Sequence, residues 1–107
     1  MEPISNTPTP PYYAVTFTSI QSEDTEGYHE MADRMISLAS EQPGFLGVES
    51  ARDQLGITVS YWKDMESIRA WKENAEHRIA QQKGKEQWYR SYRLRISKVL
   101  KEYGLTR

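Results

Sequence analysis

The side chains best suited to chemistry lie in one segment with helical spacing, around residues 71–81. His77 is the candidate general base, because a histidine side chain exchanges its proton near neutral pH. Asn74 lies three residues earlier and could hold the oxyanion that forms when a substrate hydroxyl loses its proton. We assign both residues catalytic roles as a hypothesis, with a structural histidine that bonds only its neighbours as the alternative.

Aromatic and polar side chains near this pair are predicted to bind a substrate. His77, Gln81 and Trp88 are spaced to share one helix face if the helix continues that far. Alternatively, the tryptophans are core residues, and the helix face contacts a partner subunit. The predicted substrate-binding residues are Trp71, Trp62, Gln81 and Trp88.

Two other titratable residues have weaker claims. Glu49 is the second candidate acid or base, and we expect it to pair with an arginine across the sheet because an unpaired buried charge is costly. Arg93 and Arg95, which alternate with apolar residues, would supply that partner. His29 lies off the apolar stripe of its helix and is predicted to face solvent.

Composition excludes several classes of protein. The 107 residues suffice for one domain, and a net charge of −1 provides no basic face for nucleic acid. We expect no membrane span and no signal peptide, since no apolar run is long enough and no cleavage pattern follows the N-terminus. The chain has no cysteine and two histidines, so we expect a cytoplasmic location and no metal site.

The pattern of elements predicts an α+β fold with the ferredoxin-like order β-α-β-β-α-β, in which both helices cover one face of a four-stranded antiparallel sheet. We expect a proline-rich arm at 1–11, a folded domain at 12–104 and a tail at 105–107. The predicted strands are 12–20, 45–52, 57–63 and 90–100. The predicted helices are about 25–41 and one from 65, with a bend near 74–76 before a piece that reaches 88.

The uncovered face of this sheet needs a partner. Alternation places Phe45 and Glu49 on one face of their strand, and Leu46 and Arg52 on the other. Both faces of the first three strands carry apolar groups, whereas two helices cover only one. We therefore expect a homodimer through the sheet faces, with the arm lying over the partner or forming a loose tail.

Three segments carry a family resemblance: PGFLGVES, ITVSYW and AWKENAEHRIAQQKGKEQWYRSY. Together they resemble the antibiotic biosynthesis monooxygenase domain family over about residues 12–104, and within it a subgroup of small uncharacterised bacterial proteins. The resemblance implies a dimeric α/β barrel built from two ferredoxin-like sheets. The family includes cofactor-independent oxygenases of polyketide anthrones and quinols, haem-degrading enzymes, and members with no assigned activity.

The haem-degrading branch fits this sequence poorly. Those enzymes use an asparagine on the first strand, a tryptophan on the second helix and a histidine ten residues later. Trp71 fits the tryptophan, but the position ten residues later is Gln81 and the first strand has no asparagine.

The sequence therefore favours a cofactor-independent monooxygenase acting on a small hydroxylated aromatic or quinol-like molecule. No glycine-rich phosphate-binding motif signals a flavin or nicotinamide, so the substrate itself would supply the electrons. The alternative is a dimeric α/β barrel that binds a small ligand without chemistry. Haem binding or degradation ranks third.

Overall fold

The helices and strands follow the order that the sequence predicts. The computed structural model describes residues 3–81 and 87–106, and the side chains of residues 77–81 lie outside what it describes. The elements are β1 (Tyr12–Gln21), α1 (Tyr28–Ser40), β2 (Phe45–Arg52), β3 (Gly56–Trp62), α2 (Met65–Gln81) and β4 (Tyr89–Val99). The predicted ferredoxin-like α+β fold is confirmed.

The four strands form one antiparallel sheet in the order β2-β3-β1-β4. Trp62 points to the side on which α1 and α2 pack, here called the helix side. Its neighbour Tyr61 points to the opposite, open side, because successive strand residues alternate. These two adjacent aromatic residues therefore lie on opposite sides of the sheet.

The core is centred on Trp62, whose side chain is completely buried. Ala39 of α1 and Ile68 of α2 pack against it, so one side chain joins both helices to the sheet. The indole of Trp71 stacks on it with ring centroids 6.1 Å apart. The indole nitrogen donates a hydrogen bond of 2.8 Å to Ser60 Oγ, which satisfies its buried polar atom.

The second helix begins directly after a side-chain cap, at the residue where the sequence predicts its start. A carboxylate oxygen of Asp64 accepts hydrogen bonds from the backbone N–H of Ser67 at 2.8 Å and from its hydroxyl at 2.7 Å. These bonds lower the pKa of Asp64. The helix then runs without a break to Gln81, so the bend expected near Asn74 is wrong. Asn74 and its neighbours Ala75 and Glu76 are tolerated in a helix interior, where only glycine or proline would be strongly disruptive.

A β-bulge corrects the predicted faces of β2. The pairing register between β2 and β3 shifts between Phe45 and Gly47, so Phe45 lies opposite Trp62 and Gly47 lies opposite Tyr61. The extra residue turns Phe45 to the helix side, where its ring meets Trp62 edge to face at 5.5 Å. Glu49 stays on the open side. Strict alternation from Phe45 to Glu49 is therefore wrong.

The N-terminal arm lies against the open side of its own sheet. The backbone N–H of Ser5 donates to a Glu49 carboxylate oxygen at 2.9 Å, and the Ser5 hydroxyl donates to the Val48 carbonyl at 3.1 Å. The absence of a side chain at Gly47 makes room, because a Cβ there would come within 2.6 Å of the Ser5 Cβ. Contact with its own chain is neither of the two positions expected for the arm.

The arm also meets the segment that follows β4. Glu102 accepts hydrogen bonds from the Tyr12 hydroxyl at 2.5 Å and the Thr7 hydroxyl at 2.7 Å. These bonds lower the pKa of Glu102, whereas burial and the Glu102 bond raise that of Tyr12. The arm and the C-terminal segment thus close one end of the open side, where Tyr12 is 5% exposed.

The expected ion pair of Glu49 with an arginine of the last strand is wrong. Glu49 accepts a bond of 2.6 Å from the Tyr61 hydroxyl in addition to the Ser5 bond, and burial together with this bond raises the pKa of Tyr61. Arg93 and Arg95 lie on the same side of the sheet but on β4, at the opposite edge from β2. Two strands separate the charges, so the carboxylate is satisfied locally.

Replacing the central tryptophan should destabilise the whole fold. We expect Trp62→Ala to lower the free energy of unfolding by about 3–5 kcal/mol, the usual cost of a large-to-small change in a core. Leu100→Ala is the matched control, because Leu100 is 71% exposed and its loss should cost less than about 0.5 kcal/mol. Urea unfolding followed by circular dichroism measures both. Equal midpoints for the two variants would contradict the central role of Trp62.

Candidate active site

An exposed apolar stripe runs along the helix side of the sheet near the β4 edge. It consists of Phe17, Leu94 and Ile96, with Leu94 directly opposite Phe17 in the β1–β4 pairing. Leu94 is 46% exposed and Ile96 is 43% exposed. In the described part of the chain, α1 packs on β2 and α2 packs on β3, so the β1–β4 half of this side carries less cover. The result is an exposed apolar stripe beside α2, and exposed apolar surface of this kind commonly marks a binding or interaction site.

Aromatic rings close one end of this stripe. The ring of Phe17 lies 5.2 Å from that of Tyr89 and 5.4 Å from that of Tyr92. Tyr89 in turn meets Tyr28, at the start of α1, edge to face at 5.8 Å. These distances are typical of favourable aromatic pairs. The rings form a continuous wall from the sheet to the first helix.

A half-buried arginine lies against that wall. Arg52 ends β2 on the helix side, and its Nη2 donates a hydrogen bond to the hydroxyl of Ser19, which is 2% exposed. Its guanidinium carbon lies 5.7 Å from the ring centre of Tyr28, within cation–π range. Gly56 provides the space, since a Cβ at that position would collide with the guanidinium. The other terminal nitrogen, Nη1, is buried and has no hydrogen-bond partner among the described residues.

The electrostatics of this corner keep the Tyr89 phenol neutral next to the positively charged Arg52. Burial and the neighbouring Tyr28 hydroxyl raise the pKa of Tyr89, and the positive charge of Arg52 offsets this only in part. Tyr89 is therefore protonated at neutral pH and can donate a hydrogen bond. The only salt bridge among the described residues joins Lys72 to Glu76 on the exposed face of α2, so no described carboxylate neutralises Arg52.

The predicted substrate-binding tryptophans have different surroundings. Trp71 is half-buried on α2 and stacks on Trp62, which is itself fully buried. Trp88 lies just before β4, where its indole nitrogen donates to the Glu26 carbonyl at 2.8 Å and its ring meets Tyr28. Of these three, Trp71 has the most accessible side chain.

The predicted catalytic residues lie on the second half of α2. Asn74 is half-buried, and His77 follows it in the same helix. The side chains of His77 and Gln81 lie outside the described residues, so their predicted roles stay predictions. The described part of α2 reaches Gln81, and Trp88 lies just before β4. His29 is exposed at the start of α1, as expected.

Metal chemistry and membrane insertion find no support in the described ranges. No group of three histidine, aspartate or glutamate side chains converges within residues 3–81 and 87–106 in a way that could hold a metal ion. No helix in the same ranges is long and apolar enough to cross a membrane.

Sequence reasoning missed the corner formed by Arg52, Ser19, Tyr28 and Tyr89. One signal was present, because Arg52 falls on the same strand face as Val48, which makes it a charge in line with an apolar position. The approach of Tyr28 and Tyr89 depends on how α1 crosses the sheet. That long-range geometry has no local signature in the sequence.

Comparison with known proteins agrees with this architecture. A protein of Bacillus subtilis (strain 168), the uncharacterized protein YqjZ, is 55% identical over 101 residues, spanning 92% of this chain and 89% of that protein. The crystal structure of SnoaB from Streptomyces nogalater, a cofactor-independent oxygenase, superposes with a TM-score of 0.63 at 11% identity, covering 92% of this chain and 100% of that one. A crystal structure from Pseudomonas aeruginosa superposes with a TM-score of 0.67 at 14% identity, covering 89% of this chain and 98% of that one.

The two structural matches share the fold at low identity. The family model for antibiotic biosynthesis monooxygenase matches residues 11–83, about two thirds of the chain and all of the elements from β1 through α2. The chain therefore belongs to the antibiotic biosynthesis monooxygenase family.

Proposed function

We propose that this protein is a cofactor-independent monooxygenase that acts on a small hydroxylated aromatic or quinol-like substrate. Membership of the family supports this class of reaction, and the fold is shared with SnoaB, which is itself a cofactor-independent oxygenase. The observation that carries the proposal is the exposed stripe of Phe17, Leu94 and Ile96 beside α2, where an aromatic ring can bury apolar surface.

The proposed chemistry begins with loss of a proton from the bound substrate. His77 accepts that proton, and Asn74 donates a hydrogen bond to the oxyanion that forms. The electron-rich anion then reduces O2 at a ring C–H carbon, and loss of water from the resulting hydroperoxide converts that C–H to C=O. One oxygen atom enters the product and the other leaves as water, so the substrate supplies all the electrons and no cofactor is needed.

The four residues predicted to bind the substrate have different roles in this proposal. Trp71 forms a wall of the pocket on the α2 side, and Trp62 holds it in place from behind by stacking. Gln81 is assigned to position polar groups of the substrate. Trp88 fixes the start of β4 against α1 through its bond to Glu26, and so orients the strand that carries the stripe.

We also infer that a second copy covers the open side. The arm protects only the end near Tyr12, while Ile57 at the other end is 41% exposed. After β4, Leu100, Tyr103 and Leu105 are 71–90% exposed, a large apolar area for a small monomer. Two copies packed through this side would bury both areas and produce a two-fold dimer.

The assignment of the base is tested with the two histidines of the chain. We expect His77→Ala to reduce oxygen uptake on a quinol at least about 100-fold, the usual contribution of general base catalysis. Binding of the same quinol should change less than threefold. His29→Ala is the control and should retain wild-type uptake, because His29 is exposed at the start of α1.

These measurements use an oxygen electrode for turnover and tryptophan fluorescence for binding. Unchanged uptake in His77→Ala would remove His77 from the mechanism. Tight quinol binding by a wild-type protein that consumes no oxygen across a panel of quinols would support a ligand-binding protein without chemistry.

The stripe is tested by a polar substitution. Because Leu94 is already 46% exposed, Leu94→Gln should change the free energy of unfolding by less than about 1 kcal/mol. It should nevertheless weaken binding of 1-naphthol at least fivefold, since it removes apolar contact surface. Leu55→Gln, in the β2–β3 turn at 48% exposure, is the matched control and should bind normally. Equal affinities for the two variants would show that the ring binds elsewhere.

The dimer is tested by charge placed on the open side. Wild-type protein should sediment as a species of twice the 12.5 kDa chain mass. Ile57→Asp should shift the population to the monomer, because a buried unpaired carboxylate opposes association. Leu55→Asp, two residues away in the turn, should remain dimeric. A wild-type monomer at all concentrations would refute the inferred second copy.

A further inference from the structure

We infer that Arg52 binds an anionic oxygen of the aromatic ligand, so that the site selects ring compounds that carry a carboxylate or an acidic enolate next to the ring. This inference rests on the proposed function in one respect, namely that the stripe of Phe17, Leu94 and Ile96 holds the ring.

The state of Arg52 is unusual for a purely structural arginine. A guanidinium drawn into a protein normally pairs with a carboxylate, because an uncompensated charge there is costly, and Arg52 is half-buried. Here its hydrogen-bond partner is the neutral hydroxyl of Ser19, and Nη1 is buried with no partner among the described residues. A buried donor that lacks an acceptor is destabilising unless a ligand supplies one.

The sheet places Arg52 and the stripe on the same side, in neighbouring rows of paired residues. Ser19 and Phe17 lie two residues apart on the helix side of β1, a separation of about 7 Å along the strand. The Ser19 hydroxyl receives the Arg52 bond, and the Phe17 ring begins the stripe. A fused aromatic ring on the stripe therefore reaches towards the guanidinium with a group attached at its end.

The rings between the stripe and Arg52 can take part in binding. Tyr89 lies against both Phe17 and Tyr28, and Arg52 lies over the Tyr28 ring. The Tyr89 hydroxyl is engaged with that of Tyr28, so the unpaired donor at this corner is Nη1 of Arg52. A cation suits an oxyanion, since a charged donor interacts more strongly with a negative than with a neutral oxygen.

The surrounding charges do not supply a competing acceptor. Asp53 follows Arg52 in the chain but is exposed in the turn, where its backbone N–H donates to the Leu55 carbonyl. The first-turn carboxylate of α1, Glu30, is exposed, and no salt bridge to Arg52 exists within the described residues. The positive charge is thus available to an anionic ligand.

Two probes that share one ring system test this inference. We use 1-hydroxy-2-naphthoate, an anion at neutral pH, and 1-naphthol, which is neutral, and we titrate each without oxygen while following tryptophan fluorescence. Wild-type protein should bind the anion at least tenfold more tightly. Arg52→Gln should lose tenfold or more in affinity for the anion and less than twofold for 1-naphthol. Arg52→Lys should retain part of the preference, because charge remains but the planar donor pair is lost.

Arg93→Gln is the matched control, since Arg93 is an exposed arginine on the open side and its loss should change neither affinity. Equal wild-type affinities for the two probes would overturn the inference. This comparison needs no variant, so it remains decisive even if Arg52→Gln does not fold. Parallel weakening of both probes in a folded Arg52→Gln would likewise assign Arg52 a structural role. Because no turnover is measured, failure of the oxygenase proposal would not affect these outcomes.

Discussion

The burial of Trp62 is the constraint on which the remaining structure depends. It ends β3 at the point where β2 begins and α2 is about to start, and it touches both helices through Ala39 and Ile68. Such a large side chain can be completely buried only if the bulge brings Phe45 to the same side and if the capped start of α2 lies directly above it. One side chain thus fixes the strand register at that end and the direction in which α2 leaves the sheet.

The same packing leaves the other half of the helix side available. Two helices packed about 8–10 Å apart could cover four strands spaced about 4.8 Å apart. In the described residues, however, both are drawn towards β2 and β3, where the large side chains of the core lie. Leu94 and Ile96 therefore keep nearly half of their surface in water. A domain this small loses stability by leaving the apolar stripe in water, which is a reason to regard the stripe as a functional surface.

Local patterns determined the elements and their order, whereas contacts between distant residues determined the site. Alternation and capping residues located β2, β3 and the start of α2 within a residue, since these signals are carried by adjacent positions. The bulge at Phe45 escaped prediction because the burial of Trp62 imposes it from the neighbouring strand. The partner of Glu49 was also missed, since the backbone N–H that binds it comes from the proline-rich arm, and no sequence motif indicates that contact. The corner around Arg52 combines residues from four elements, and only their relative placement makes it a site.

A cation near the substrate has two opposing effects in an oxygenase without a cofactor. By stabilising the anion, Arg52 would lower the pKa of the substrate and make the proton easier for His77 to remove. The same stabilisation makes the anion a weaker reductant of O2, because the electron must leave a more favourable state. A guanidinium in direct contact with the reacting oxygen would therefore slow the second step. Contact with an adjacent carboxylate or enolate avoids this conflict, since it anchors the ring while the reacting position lies further along the stripe. The placement of Arg52 against the aromatic wall at the end of the stripe, rather than on the stripe itself, fits the anchoring role.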